Sequence, residues 1–118
     1  MFAAGAALLI AAAPPPMSVA TFLAKADALM KRGPFALLSS DYRLLKSEGE
    51  AAGDALKAEH QSLIKAHKPT PYCPPEKGFL GADELLSGFR AIPPADRARM
   101  TVKDGMRTYL ARKWPCKA

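Results

Sequence analysis

A chain of 118 residues with 17 Lys and Arg against 11 Asp and Glu carries a net charge of +6 and supports one domain around one core. The excess is interspersed with acids: residues 14–72 hold eight Lys/Arg and six Asp/Glu, and residues 73–118 hold nine and five. Such charge favours solubility and encounter with acidic partners. Without an aromatic-and-basic RNA motif or zinc-finger spacing, it does not point to nucleic acid.

Residues 2–13 read FAAGAALLIAAA and are followed by Pro14-Pro15-Pro16. A membrane-spanning helix needs about 20 apolar residues, so this run is too short to span. It matches the apolar core of a secretory signal, with Ala11-Ala12-Ala13 as small residues for cleavage. No Lys or Arg precedes it, which a start site further upstream would explain; a packed or disordered N-terminal tail is the alternative. The expectation is a signal peptide over residues 1–13 and a mature helical domain over 14–118, located in the periplasm with no stable membrane span.

From Ser18 to Lys31, Val19, Phe22, Leu23, Ala26, Leu29 and Met30 recur at helical spacing. Ser18 caps the start, Lys31 and Arg32 suit the negative end, and Gly33 followed by Pro34 stops the helix. Residues 34–39 predict a short helical turn that adds Phe35, Leu37 and Leu38 to the core. Ser40 or Asp41 then caps a long second helix toward Ala66, with apolar positions at Leu44, Leu45, Ala52, Ala55, Leu56, Leu63 and Ile64. Gly49 and Gly53 each weaken that helix by about 1 kcal/mol relative to Ala, and they permit close approach of another helix.

Residues 68–78, KPTPYCPPEKG, contain four prolines in eleven residues. Proline lacks an amide and clashes with the preceding turn, so this is loop. It is either a binding loop on a rigid scaffold or a crossover between two helical halves. Ala82 to Ile92 predicts a third helix with Leu85, Leu86, Phe89 and Ile92 on one face, ended by Pro93-Pro94. A short turn at Pro94–Arg97 follows. Thr101 caps a last helix that turns Val102, Met106, Tyr109 and Leu110 inward, and Trp114 seals the core near Cys116. The fold class is all-α: a small single-domain helical bundle of four to five helices.

The two cysteines each adjoin proline, in Tyr72-Cys73-Pro74-Pro75 and Trp114-Pro115-Cys116. An oxidising compartment favours a Cys73–Cys116 disulfide, while two buried free thiols are the other possibility. Closing their 43-residue separation would restrict the unfolded chain by about 4 kcal/mol in the loop-entropy model.

Residues with chemistry are sparse, and the expectation is a non-enzyme without cofactor or metal. His60 and His67 share a face of the second helix but lie about 10 Å apart along its axis, too far for one metal with bonds near 2 Å. Ser39-Ser40-Asp41 matches a helix cap, and no Gly-x-Ser-x-Gly elbow occurs. Asp83-Glu84 and Glu48/Glu50 fit first helical turns or solvated faces. Arg97, Arg99, Lys103, Arg107, Arg112 and Lys113 form either a cationic stripe for an acidic partner or an ordinary solvated face.

The segment from Cys73 to Cys116 resembles the Rap/Tai-type immunity proteins of type VI secretion systems. The matching features are Cys73-Pro74-Pro75, an amphipathic helix around Glu84 to Phe89, and the proline-started turn at Pro93-Pro94. A helix bearing Met106, Tyr109 and Leu110 follows, with the aromatic-Pro-Cys ending Trp114-Pro115-Cys116. The resemblance covers roughly the last 45 residues. Family members commonly carry further cysteines in the N-terminal half, and this chain has none there. The resemblance implies a stoichiometric inhibitor that binds a peptidoglycan amidase effector in the periplasm. The rival class is a general periplasmic interaction or stress protein, chaperone-like and without a dedicated effector. For partner contact the candidates are Tyr72, Pro74, Pro75, Lys77 and Phe79, on the loop a disulfide would pin; a homodimer is the other association considered.

Overall fold

The computed structural model describes Pro16–Lys117; the expected signal peptide lies outside these residues. The described chain is all-α, with α1 (Val19–Lys31), a 3-10 segment (Gly33–Leu38), α2 (Ser40–Lys65), α3 (Ala82–Arg90), α4 (Pro94–Arg97) and α5 (Val102–Lys113). No strand forms among the described residues, although an isolated antiparallel bridge joins Ser18 to Thr101. There the Val19 N–H donates to Met100 O at 2.8 Å and the Val102 N–H donates to Met17 O at 3.0 Å. These bonds set the starts of α1 and α5 side by side.

The helix ends follow local chemistry. The Thr21 N–H donates to Ser18 Oγ at 3.1 Å. At α5 the Asp104 N–H donates to Thr101 Oγ1 at 3.0 Å, and the Thr101 N–H donates to the Asp104 carboxylate at 3.2 Å, a reciprocal capping box. The cap of α2 is Ser39, one residue before the expected position, because its Oγ accepts the Tyr42 N–H at 3.1 Å. Gly33 stops α1 with φ of 65°.

The other end of α2 differs from expectation. The Lys68 N–H donates to Leu63 O at 2.9 Å and the His67 N–H donates to Ile64 O at 3.0 Å. His67 takes φ of 55°, completing a Schellman stop with a non-glycine residue in the left-handed position. His67 therefore lies beyond the helix and does not share a face with His60.

The core runs through Val19, Phe22, Leu23, Leu45, Leu56, Phe89, Val102, Met106 and Leu110, all buried. Phe22 and Phe89 meet edge to face, with centroids 5.4 Å apart, the arrangement aromatic quadrupoles favour. Two glycines permit α5 to close on this core. A Cβ on Gly105 would stand 2.7 Å from Val19 Cγ2 and 2.9 Å from Phe89 Cε1, and one on Gly88 would stand 2.8 Å from Tyr109 Cγ. Ile92 is buried although α3 ends at Arg90.

The 3-10 segment corrects one expectation. Phe35, Leu37 and Leu38 are 78%, 61% and 77% exposed, and in this segment only Ala36 is buried. A 3-10 helix turns every three residues, so one position per turn faces inward. Here Ala36 takes that position, and the three larger side chains point to solvent.

Cys73 and Cys116 are disulfide-bonded with their Cα atoms 4.9 Å apart, which excludes the free-thiol alternative. The Cys73 N–H also donates to Trp114 O at 2.8 Å. The proline-rich loop is thus fastened to the chain just beyond α5.

Candidate functional site: an open apolar groove

An open groove of about 820 Å³ runs between α1, α2, α3 and the residues preceding α3. On α2 it is lined by Tyr42, Leu45, Lys46, Gly49, Glu50 and Gly53. These fall at i, i+3, i+4, i+7, i+8 and i+11, one continuous helix face about 16 Å long at 1.5 Å per residue. From α1 come Phe22, Ala26, Leu29 and Met30; from α3 come Ala82, Leu85 and Leu86. Phe79 and Trp114 line the side nearest the proline-rich loop, and Met106 and Leu110 of α5 lie among the lining residues.

The groove walls are apolar and low. A Cβ at Gly49 or Gly53 would meet nothing within 4 Å. The expectation that these glycines admit a neighbouring helix therefore fails within the described chain, since the space above them is open. Met30 is 54% exposed and Phe79 is 79% exposed at the edges. Water in contact with such surface is displaced favourably by an apolar partner, at roughly 25 cal/mol per Å² covered.

The rim is held in place by α5. The Lys113 ammonium donates to Phe79 O at 3.1 Å and sits 4.7 Å from the Trp114 ring centroid. It also pairs with Glu84, which accepts the Tyr109 hydroxyl at 2.6 Å. Lys113, then Tyr109, hold the Glu84 carboxyl below the ordinary glutamate range, and the same bond raises the Tyr109 hydroxyl. A Cβ on Gly78 would come within 2.9 Å of the Trp114 ring, so only glycine lets the loop lie this close. Phe79 therefore presents its ring from a fixed backbone.

The residues expected to contact a partner separate into two groups. Pro74, Pro75, Lys77 and Phe79 are exposed. Tyr72 is not available for contact: it is 4% exposed, its hydroxyl donates to Leu56 O at 3.2 Å, and its ring stacks on His60 at 5.3 Å. Burial pushes its hydroxyl pKa up, with the nearby Glu59 charge adding to the shift. Tyr72 is the apolar plug that seats the loop on α2. Pro74 lies on a separate shallow hollow with His60, Ile64, Lys68, Pro69, Thr70 and the two cysteines. Of the five, only Phe79 reaches the groove.

The supposed cationic stripe is largely committed to internal contacts. Arg107 makes paired bonds to the Glu59 carboxylate at 3.0 and 2.9 Å and another to Asp104 at 3.0 Å, and Lys103 reaches Glu59 at 3.1 Å. Arg107 holds Glu59 below its ordinary range, and Glu59 in turn raises Arg107. Arg97 donates to Ile92 O and Arg90 O at 2.9 and 2.7 Å. These side chains bind α5 to α2 and fasten α4; they are not a free basic face.

The sequence reading passed over the groove's α2 wall. The signal was present in the spacing of Tyr42, Leu45, Lys46, Gly49, Glu50 and Gly53, but a helix with polar and glycine positions on one side looks like a solvated face. Only the third dimension shows that α1 and α3 stand on either side of it. Among the described residues no group of three or more His, Cys, Asp or Glu side chains is placed to hold a metal ion, and no helix is long and apolar enough to cross a membrane. Comparison with protein-family models, curated proteins and solved structures yields no match for this chain.

Proposed function

We propose that this chain is an exported, non-enzymatic binding protein of the immunity type, which neutralises a peptidoglycan amidase effector in the periplasm. The observation that carries the binding role is the open apolar groove with Phe79 and Met30 standing exposed at its edges. Exposed contiguous apolar surface of this kind marks interaction sites. Export is supported by the Cys73–Cys116 bond, which persists in oxidising compartments, together with the apolar run at residues 2–13. The effector class rests on the resemblance of the Cys73–Cys116 segment described above. A rim fixed by Lys113 and the disulfide loses little conformational freedom on docking, which favours a tight stoichiometric complex.

The test is affinity capture with the tagged protein from extract of its native cell. Recovery of one cell-wall amidase at near-equal stoichiometry, with hydrolysis lost as more protein is added, is the predicted result. Recovery of many unrelated periplasmic proteins, or of none, overturns the amidase assignment and favours a general periplasmic interaction role.

A further inference from the structure

We infer that the groove receives an amphipathic α-helix of the partner, with carboxylates on the end that meets Lys46 and Arg43 and cations on the end that meets Glu50 and Asp54. This inference rests on the binding-protein reading and names the element of the partner that is bound.

The groove selects helix over extended chain by its backbone chemistry. Its walls are the side chains of α1, α2 and α3, whose amides and carbonyls are largely used within the helices. No strand edge exists among the described residues to pair with a peptide. An extended segment laid here would leave its own N–H and C=O groups without partners against an apolar surface, at a cost of about 1–3 kcal/mol each. A helix satisfies those groups internally and presents only side chains, the mode of helix-in-groove recognition.

Dimensions and relief agree with this. The α2 wall from Tyr42 to Gly53 is as long as about three helical turns. Gly49 and Gly53 lie one turn apart with open space above both, so a partner backbone can approach α2 closely at its middle. Leu45, Leu85, Leu86 and Phe79 also line the groove and offer apolar surface to a partner's side chains.

Charge sets which helix. Lys46 and Glu50 both line the groove, one turn apart. Beyond Lys46 lies Arg43, and beyond Met30 lie Lys31 and Arg32; beyond Glu50 lies Asp54. None of these six charged side chains has an opposite charge within 4.0 Å among the described residues. Along α2 the charges therefore run positive at Arg43 and Lys46 and negative at Glu50 and Asp54, before Lys57 beyond the groove's last lining residue on that helix, Gly53. A helix with the reverse polarity along its length meets an opposite charge at each end, and a uniformly basic or acidic one meets repulsion at one end.

The experiment uses the full chain and synthetic helical peptides of about twelve residues, carrying Leu and Ala on one face. One has Glu in its first turn and Lys in its last, a second has Lys in both, and a third is the first with a central proline. Calorimetry should show micromolar binding of the first, binding weaker by about tenfold or more for the other two, and loss of binding in Gly49→Leu/Gly53→Leu. Both leucines enter open space on a helix, so thermal unfolding of that variant should occur at the same temperature or higher, separating a filled groove from a damaged fold. Lys46→Glu should weaken the first peptide and strengthen the second.

Equal binding of all three peptides, no binding of any, or binding untouched by Gly49→Leu/Gly53→Leu would overturn the inference. Dimerisation lost in that double variant, or peptide binding that appears only after residues 1–13 are removed, would assign the groove to a second copy or to the chain's own N-terminal run and would equally overturn it. If Gly49→Leu/Gly53→Leu still inhibits the captured amidase, the groove inference fails while the amidase reading stands. If no amidase is captured, the peptide series still decides the groove.

Discussion

Two pairs of glycines divide this molecule. Gly88 on α3 and Gly105 on α5 are buried, and a Cβ at either would overlap Tyr109, Val19 or Phe89. Gly49 and Gly53 on α2 sit in an equally regular helix, yet a Cβ at either meets nothing within 4 Å. The first pair is explained by packing already in the chain. The second weakens α2 by roughly 1 kcal/mol per residue relative to Ala with no contact to any described residue in return. That cost, on the floor of an apolar groove, is what the proposed docking of a partner helix would offset.

The filled side of the comparison contains the largest expected effect. Replacing both Cys73 and Cys116 by serine should lower stability by about 4 kcal/mol, the loop-entropy value for a 43-residue separation. Denaturant unfolding of the oxidised protein and the double-serine variant measures it. A difference below about 1 kcal/mol would mean that the bonds from the Cys73 N–H to Trp114 O and from the Tyr72 hydroxyl to Leu56 O already hold the loop.

Next come the buried glycines. Gly105→Ala and Gly88→Ala should each cost about 1–3 kcal/mol, the range for overpacking a core that cannot yield without backbone movement. Gly105 carries the firmer expectation, because two core side chains, Val19 and Phe89, crowd it at once. By contrast, Gly49→Ala and Gly53→Ala should stabilise by up to about 1 kcal/mol each. Thermal unfolding of the four variants tests the opposite signs directly, and destabilisation at Gly49 or Gly53 would show that the groove is closed in solution.

The smallest effect is electrostatic and belongs to the α2–α5 seam. Arg107 lowers the Glu59 pKa, so the pair contributes stability at pH above the ordinary glutamate value of about 4.3. That contribution is lost as the pH falls through the depressed folded-state value. In Glu59→Gln the loss of stability between pH 5 and about pH 2 should be shallower than in the parent chain, read from unfolding midpoints across that range. An unchanged acid limb would assign the pH response to other carboxylates.

Much of the architecture was legible because it is written in local rules. Ser18, Thr101 and Gly33 act where their side chains or conformations dictate, and the Cys73–Cys116 pair joined as the compartment argument suggested. The misses arose where local pattern is ambiguous. Phe35, Leu37 and Leu38 are apolar enough to suggest core, but the tight pitch of a 3-10 segment turns only Ala36 inward. Tyr72 carries a polar handle in a loop, which suggests contact; its ring instead found His60 and its hydroxyl found Leu56 O. Arg107 and Lys103 were spaced as a free stripe, and Glu59, 48 and 44 residues earlier, was the partner that no helical spacing could reveal. The groove itself depended on three elements meeting, so only Phe79 among the candidate contact residues reached it.

The most direct test of the claim that the groove is the working surface is site-specific photo-crosslinking in the native cell. A p-benzoylphenylalanine in place of Lys46 reports on the groove, and one in place of Thr108, which is exposed on α5, reports on the filled side. The account predicts one discrete adduct with a cell-wall amidase from position 46, suppressed by Gly53→Leu, and none from position 108. An adduct from position 108 with none from position 46 would contradict it.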